Sequence, residues 1–247
     1  MKALERKIKE EREVIEQGQI TVPSGLKEYT IRILDENDLE QIVQLQNSVL
    51  GKLKQKELCV PIPKEEMLEI LTGNGESVGF FVGDKLCAVC SLLFPVSYEN
   101  NMARELNFSD EELRLVVQFE LSLVDLDFRG CNLQLKLADI LARRLEKRGE
   151  AKYLFTTVSP YNYPSIKTVT SLGLQIVKIS KMYFNWDRYV VYKEFNKPVK
   201  LDTANSISIL NTCLAEQEKL INEGYRGYSQ FKDEEGIKIV FAKVCEN

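Results

Sequence analysis

The chain has 247 residues, 44% of them hydrophobic, which is enough to build a real core in one large domain or one domain with extensions. Its 33 Lys and Arg against 37 Asp and Glu give a net charge of −4, so it lacks the basic footprint of a nucleic-acid binder. It contains no histidine, which excludes Ser-His-Asp and Cys-His nucleophilic pairs and His-ligated metal sites, and leaves proton transfer to Asp, Glu, Tyr, Cys, Lys, a terminus or water.

Residues 1 to about 18 read as a helix, with Leu4, Ile8, Val14 and Ile15 as a thin apolar stripe among charges. The start is too charged for a secretory signal, and no stretch approaches ~18 consecutive apolar residues. No membrane contact is expected, and the expected location is cytoplasmic. Glu28 to Leu34 alternates and is rich in β-branched residues, the pattern of a strand. Asp35 or Asn37 then caps a helix carrying Leu39, Ile42, Val43, Leu45 and Val49. Pro63 and Gly73 bracket a short second helix. "SVGFFV" and "KLCAVCSLLFPV" read as strands joined at Gly83-Asp84. Ser109 and Glu112 have the spacing of a capping box after a long polar connection.

"QFELSLVDLDF" is the next strand, with Phe119, Leu121 and Leu123 on one face and Gln118, Glu120 and Ser122 on the other. That polar face suggests a wet cleft. A helix from about Leu133 to Arg148 follows, then the strand "AKYLFTTVS" and the helix "NYPSIKTVTSLG". "LQIVKISKMYF" and "RYVVYKEF" pair as a hairpin turning at Asn185-Trp186-Asp187. The order β-α-α-β-β-β-α-β-α-β-β predicts a mixed α/β domain. Beyond Lys197, "SISILNTCLAEQEKLINEGY" reads as an amphipathic helix, and "GYSQF" and "IKIVFAKV" as a hairpin around Asp233 to Gly236. Three segments are expected: a helical leader at 1–26, a central domain at 27–196, and a C-terminal α/β extension at 197–247.

Six cysteines in a chain this long do not suggest a disulfide framework. Cys87 and Cys90 form a C-x-x-C within a strand, where residues three apart point to opposite faces, so no metal site is expected there.

The segment most informative for function runs from Val124 to Leu145. It leaves a strand, passes Arg129-Gly130-Cys131-Asn132-Leu133-Gln134, and enters a helix. A helix's first turn presents unpaired N–H groups and a partial positive charge, and can hold a pyrophosphate through main-chain donors. Arg129 adds a charge contact, and Asn132 suits an N-cap and left-handed backbone. An ordinary capped strand-to-helix joint explains the same residues without a ligand. Cys131, beside the helix N-terminus, reads as a packing or surface residue rather than a nucleophile.

In its order of elements, the chain resembles the GNAT (Gcn5-related N-acetyltransferase) superfamily. That family's Arg/Gln-x-x-Gly-x-Gly/Ala signature matches Arg129 to Gln134, its hydrophobic lead-in matches Val124 to Gly130, and its helix-opening Asn and terminal Gly-Phe match Asn162 and Gly173-Leu174. The likeness covers Tyr29 to Phe195. It implies an α/β (α+β) fold: a mostly antiparallel central sheet with splayed fourth and fifth strands, flanked by helices, here with a small C-terminal helix–hairpin extension. It implies acetyl-CoA as co-substrate, with no metal. The cofactor would lie along Leu123, Val124, Asp125 and Leu126, with its pyrophosphate on Arg129 to Gln134 and further contacts from Asn162 and Ser165. The Val124 N–H would polarise the acetyl carbonyl, and Glu120, on the polar face, would be the base; a merely solvated carboxylate is the other reading of Glu120. Gln118, Ser122, Thr156 and Ser159 could orient water or substrate.

Four positions depart from the family pattern. Asn132 and Gln134 replace Gly and Gly/Ala, the lead-in Pro is Leu126, and the Tyr that protonates the departing thiolate is Val169. Tyr161 and Tyr163 are the nearby substitutes. The resemblance implies acetyl (acyl) transfer to an unidentified small-molecule or protein amine. The alternative is a catalytically weak or inactive protein on the same fold that binds coenzyme A or a partner, and a third reading is an interaction module with no such site. The tail could cover the acceptor cleft, extend the sheet or form the contact of a homodimer, and the leader could do the last as well.

Overall fold

The computed structural model describes residues 13–94 and 101–245. The chain divides into two compact units. The first comprises Met1–Lys56, Pro61–Val96 and Phe119–Arg144, and the second Glu57–Val60, Ser97–Gln118 and Leu145–Asn247.

In the first unit, β1 (Val14–Val22) and β2 (Gly25–Ile33) form an antiparallel hairpin, with Val22 opposite Gly25. The helix expected up to residue 18 is therefore a strand from Val14 onward; the rest of that expectation lies outside the described residues. Tertiary pairing overrides the local helix preference of the Glu- and Gln-rich stretch. Gly18 faces Tyr29, whose hydroxyl lies 2.9 Å from where a Cβ would stand, so no larger residue fits without displacing the ring. Asp35, not Asn37, caps the turn that follows, accepting the Asn37 N–H at 2.8 Å. Arg32 holds Asp38 through both carboxylate oxygens, at 2.7 and 2.6 Å.

Helices α1 (Leu39–Gly51) and α2 (Lys64–Glu69) precede β3 (Gly75–Val82) and β4 (Lys85–Leu93). β3 and β4 join at Gly83-Asp84 as the sequence predicts. Residues Phe119–Val124 of β5 (Val116–Val124) complete the order β1-β2-β3-β4-β5. Helix α4 (Leu133–Arg148) contributes its first three turns to this unit. Leu137 and Leu141 of α4 are fully buried, as are Ile31, Ile42, Phe80 and Leu92. Lys136 ties α4 down by donating to Glu16 of β1 and to the Tyr29 hydroxyl of β2.

In the second unit, Ser109 and Glu112 form the predicted capping box around the single helical turn α3 (Asp110–Leu113). The opening of β5 pairs in parallel with β6 (Tyr153–Val158) over Val116–Gln118. This parallel ladder spans three residue pairs; the other pairings registered among the described residues are antiparallel. After α5 (Tyr163–Ser171), β7 (Gln175–Met182) and β8 (Trp186–Glu194) form a hairpin. Its tip is Tyr183 to Asn185, two residues earlier than expected, and Trp186 is the first residue of β8, its ring tilted against Phe184 with centroids 4.8 Å apart.

The extension differs from expectation. Leu201–Leu210 is strand β9, and only Leu214–Asn222 is helix (α6). β10 (Tyr225–Asp233) and β11 (Gly236–Val244) form the expected hairpin. The unit's strands run β5-β6-β8-β7-β10-β11-β9, so the extension lengthens the sheet, with Gly227 of β10 paired to Ile176 of β7. Its core is aromatic: Phe108 meets Tyr153 edge-on at 4.9 Å, and Phe155 stacks on Tyr192 at 4.8 Å.

Candidate functional site

The predicted turn lies in the first unit. β5 ends at Val124, and the Asp125 N–H donates to the Cys87 carbonyl of β4 at 2.8 Å. Successive strand amides point to opposite edges, so the Val124 N–H points away from β4. A short 3-10 turn, Leu126–Phe128, carries the chain to Arg129. Gly130 has φ 83° and open space around it, and Asn132 has φ 58°. Asn132 thus adopts the left-handed backbone where the family pattern has glycine, at the modest cost that Asn tolerates. Its carbonyl accepts the Lys136 N–H at 3.1 Å, which opens α4. Arg129, Gly130 and Asn132 are exposed, Cys131 and Gln134 half-buried, and Leu133 buried. The turn is a surface feature wrapped around a helix N-terminus, a geometry competent to hold an anion.

Asp125 braces this turn. Its carboxylate accepts from Lys85 at 2.7 Å and from the Asp127 N–H at 3.2 Å. Burial alone would raise its pKa, but these two hydrogen bonds hold it below the usual carboxylate range. The sequence carries no local sign of the Lys85 brace, and it marks Cys87 only as part of a C-x-x-C, because both contacts depend on the neighbouring strands β4 and β5.

Along β5, Phe119, Leu121 and Leu123 are buried, while Glu120, Ser122 and Val124 are half-buried, the predicted alternation. Gln118 departs from it. It is 1% exposed, and its side-chain oxygen accepts the Met102 N–H at 3.2 Å, so it is a satisfied core amide in the second unit and not part of a wet face.

The other predicted residues belong to the second unit. Asn162 caps α5: its side-chain oxygen accepts the Ser165 N–H at 3.2 Å, and its side-chain nitrogen donates to the Leu58 carbonyl at 2.9 Å. Tyr163 and Ser165 are half-buried in the first turn of α5. Val169 is 6% exposed, a core position of the helix. Ser159 is buried and accepts the Tyr161 N–H at 3.3 Å. Cys87 and Cys90 are both buried, and burial pushes the Cys90 thiol up to about 12. Among the described residues, no group of three or more His, Cys, Asp or Glu side chains is placed to hold a metal, and no helix is long and apolar enough to cross a membrane.

No protein-family model and no curated protein matches the sequence. Solved structures match in fold. The acetyltransferase of GNAT family from Streptococcus pneumoniae aligns at a TM-score of 0.53 and 16% identity, over 67% of this chain and 98% of its own. The fold is that of the GNAT acetyltransferases. Arabidopsis thaliana NAA60, in complex with acetyl-CoA, aligns at 0.55 and 12% identity over 68% of this chain and 99% of its own. The yncA protein of Salmonella typhimurium, with its cofactor acetyl-CoA, aligns at 0.53 and 16% identity over 69% and 97%. At these identities the likeness is one of fold. In GNAT terms, the family's fourth and fifth strands are β5 and β6 here, because β1 precedes the strands counted from the sequence.

Proposed function

We propose that this chain transfers the acetyl group of acetyl-CoA to an amine, a small molecule or a protein, and that the turn from Arg129 to Gln134 holds the cofactor's pyrophosphate. The observation that carries this reading is the backbone of Gly130 and Asn132, left-handed at both positions and exposed at the mouth of α4. Together with the helix N-terminus, it supplies the curl and the main-chain donors that the phosphate oxygens need. The fold likeness supports the choice of ligand.

In this reading, the main chain from Leu123 to Leu126 lies along the pantetheine arm, with Asp125 fixed by β4 and Val124 turned the other way. The Val124 N–H donates to the thioester oxygen and stabilises the negative charge that builds there. The neutral amine attacks the acetyl carbon, the C–N bond forms, the C–S bond breaks, and the thiolate leaves. Glu120, directly or through one water, takes the proton released by the attacking nitrogen. The thiolate takes a proton from a tyrosine or from water. We assign no donor at Val169, whose side chain carries no acid.

Val169 also favours a second reading, a protein that binds coenzyme A without efficient turnover. Calorimetric titration of acetyl-CoA into the parent and into an Arg129→Ala, Gly130→Pro double variant separates the possibilities. Micromolar binding lost in the variant supports the phosphate turn. An amine panel followed by thiol release then distinguishes enzyme from binder. A folded parent that gives no heat overturns both readings.

A further inference from the structure

Arg188, the third residue of β8, is a buried cation that makes no salt bridge among the described residues. It is 5% exposed. Its Nη1 donates to the Glu57 carbonyl at 3.0 Å and its Nη2 to the Thr157 carbonyl at 2.9 Å. Its Nε is buried and has no partner. Among the described residues, no Asp or Glu carboxylate lies within ion-pair distance of it. The Cys59 thiol is close by, and burial pushes its pKa up, with the Arg188 charge pulling the other way; as a neutral thiol it does not balance the guanidinium. The Tyr183 ring covers the group, its centroid 5.6 Å from the guanidinium carbon.

A buried charge that lacks an opposite charge costs several kcal/mol, on the order of the penalty for breaking a buried ion pair. Two neutral carbonyls offset part of this. They leave a planar fork of N–H donors only partly used, in a shape that matches a carboxylate. We propose that Arg188 is the recognition cation for the carboxylate group of a small ligand. A singly charged group fits better than phosphate: the groups around the guanidinium are carbonyls, a thiol and hydroxyls, the Glu57 carboxylate acts on it from beyond ion-pair distance, and a second negative charge on the ligand would meet that carboxylate uncompensated.

The cover is the tip of the β7–β8 hairpin. Tyr183 and Asn185 both hold left-handed backbone, at φ 57° and 65°. The Tyr183 hydroxyl shares a 2.9 Å hydrogen bond with Thr157 Oγ1. Movement of the ring away from β8 opens the guanidinium to a ligand, and the Thr157 bond is one of the contacts that resist it. The site lies within the second unit, and its existence is independent of the acetyl-transfer reading.

The test is NMR of the arginine Nε–H groups of the full chain. The Arg188 signal is assigned by its absence in Arg188→Lys or, if that variant does not fold, by through-bond connectivity. Acetate and glycine serve as carboxylate probes, with chloride and inorganic phosphate as the comparison anions. The expected result is a protected Nε–H signal that moves downfield and saturates at millimolar acetate or glycine. Tyr183→Phe, which removes the hydroxyl bond, should tighten that titration at least threefold. A signal that stays put with both carboxylates overturns the proposal, and so does one that chloride or phosphate moves equally.

Discussion

The Tyr189 hydroxyl of β8 donates to the side-chain oxygen of Gln217 on α6 at 2.7 Å, and neither residue has any exposed surface. Gln217 in turn donates to the Leu210 carbonyl at 2.7 Å, and Asn211 donates to the Pro160 carbonyl at 2.8 Å. The C-terminal extension is thus bonded into the centre of the second unit. Gln217→Leu leaves the buried Tyr189 hydroxyl without its acceptor, while the Leu210 carbonyl keeps the Cys213 N–H, and should cost about 1–3 kcal/mol. Urea denaturation of the variant checks this. A chain ending at residue 196 uncovers Tyr189 and should not give a cooperative transition.

Gly130 and Asn132 allow a paired test of the turn. No atom lies within 4 Å of a Cβ built at Gly130, so Gly130→Val meets strain alone, at about 1–2 kcal/mol for left-handed backbone. It should fold with a lowered Tm and lose acetyl-CoA affinity. Asn132→Gly keeps the same backbone freely and should bind at least as tightly as the parent. If both variants bind like the parent, the turn is not the phosphate site.

Asp125 ties the acid side of the stability curve to this turn. Its carboxyl titrates below its unfolded value of ~3.9, so its bonds stabilise the fold above that pH. The contribution is lost as pH falls through the lower, folded value. Asp125→Asn should cost about 1–3 kcal/mol at neutral pH, with the gap from the parent closing as pH falls below about 4. Urea midpoints taken across that range measure it. Parallel curves would show that Lys85 and the Asp127 amide contribute nothing through charge.

Restoring the family's tyrosine at position 169 should not restore an acid. The site is packed within α5, and Val169→Tyr adds a ring where there is no room, at a cost of about 1–3 kcal/mol. A lower Tm with no gain in thiol release is the expected outcome.

Glu120→Gln tests the base. It removes the proton acceptor and leaves the turn intact, so acetyl-CoA affinity should hold while amine acetylation falls about a hundredfold. A variant with parental turnover would reduce Glu120 to a solvated strand carboxylate.

The central order of elements was legible because its signals are local. Ser109 with Glu112, Asn162 with its helix, and the Gly83-Asp84 turn each act within a few residues, and each appears where the spacing puts it. The two misread segments, Val14–Val22 and Leu201–Leu210, lie at opposite ends of the strand order. A strand there pairs on one side only, its side chains stay largely exposed, and the apolar alternation that marks a buried strand is weak. In the second case a signal exists: Ser206-Ile207-Ser208-Ile209 alternates with period 2, but it runs directly into the helix and is swallowed by the longer apolar pattern. In the candidate site, the left-handed Asn132 could be foreseen from its side-chain chemistry. The Lys85–Asp125 brace and the burial of Gln118 could not, because both arise from partners distant in sequence.

Neither unit is one continuous stretch. β5 passes from the second unit to the first between Gln118 and Phe119, and α4 passes back between Arg144 and Leu145. On a growing chain, the first unit has all its pieces once Arg144 has been made. Residues 97–118, with the apolar Leu113, Val116 and Val117, must then wait for partners not yet synthesised. At ~5–20 residues per second, that wait is on the order of ten seconds. The nascent chain therefore carries an open apolar strand until β6 and β8 have been made, and its yield in a cell should depend on how fast it is translated and on which chaperones meet it there.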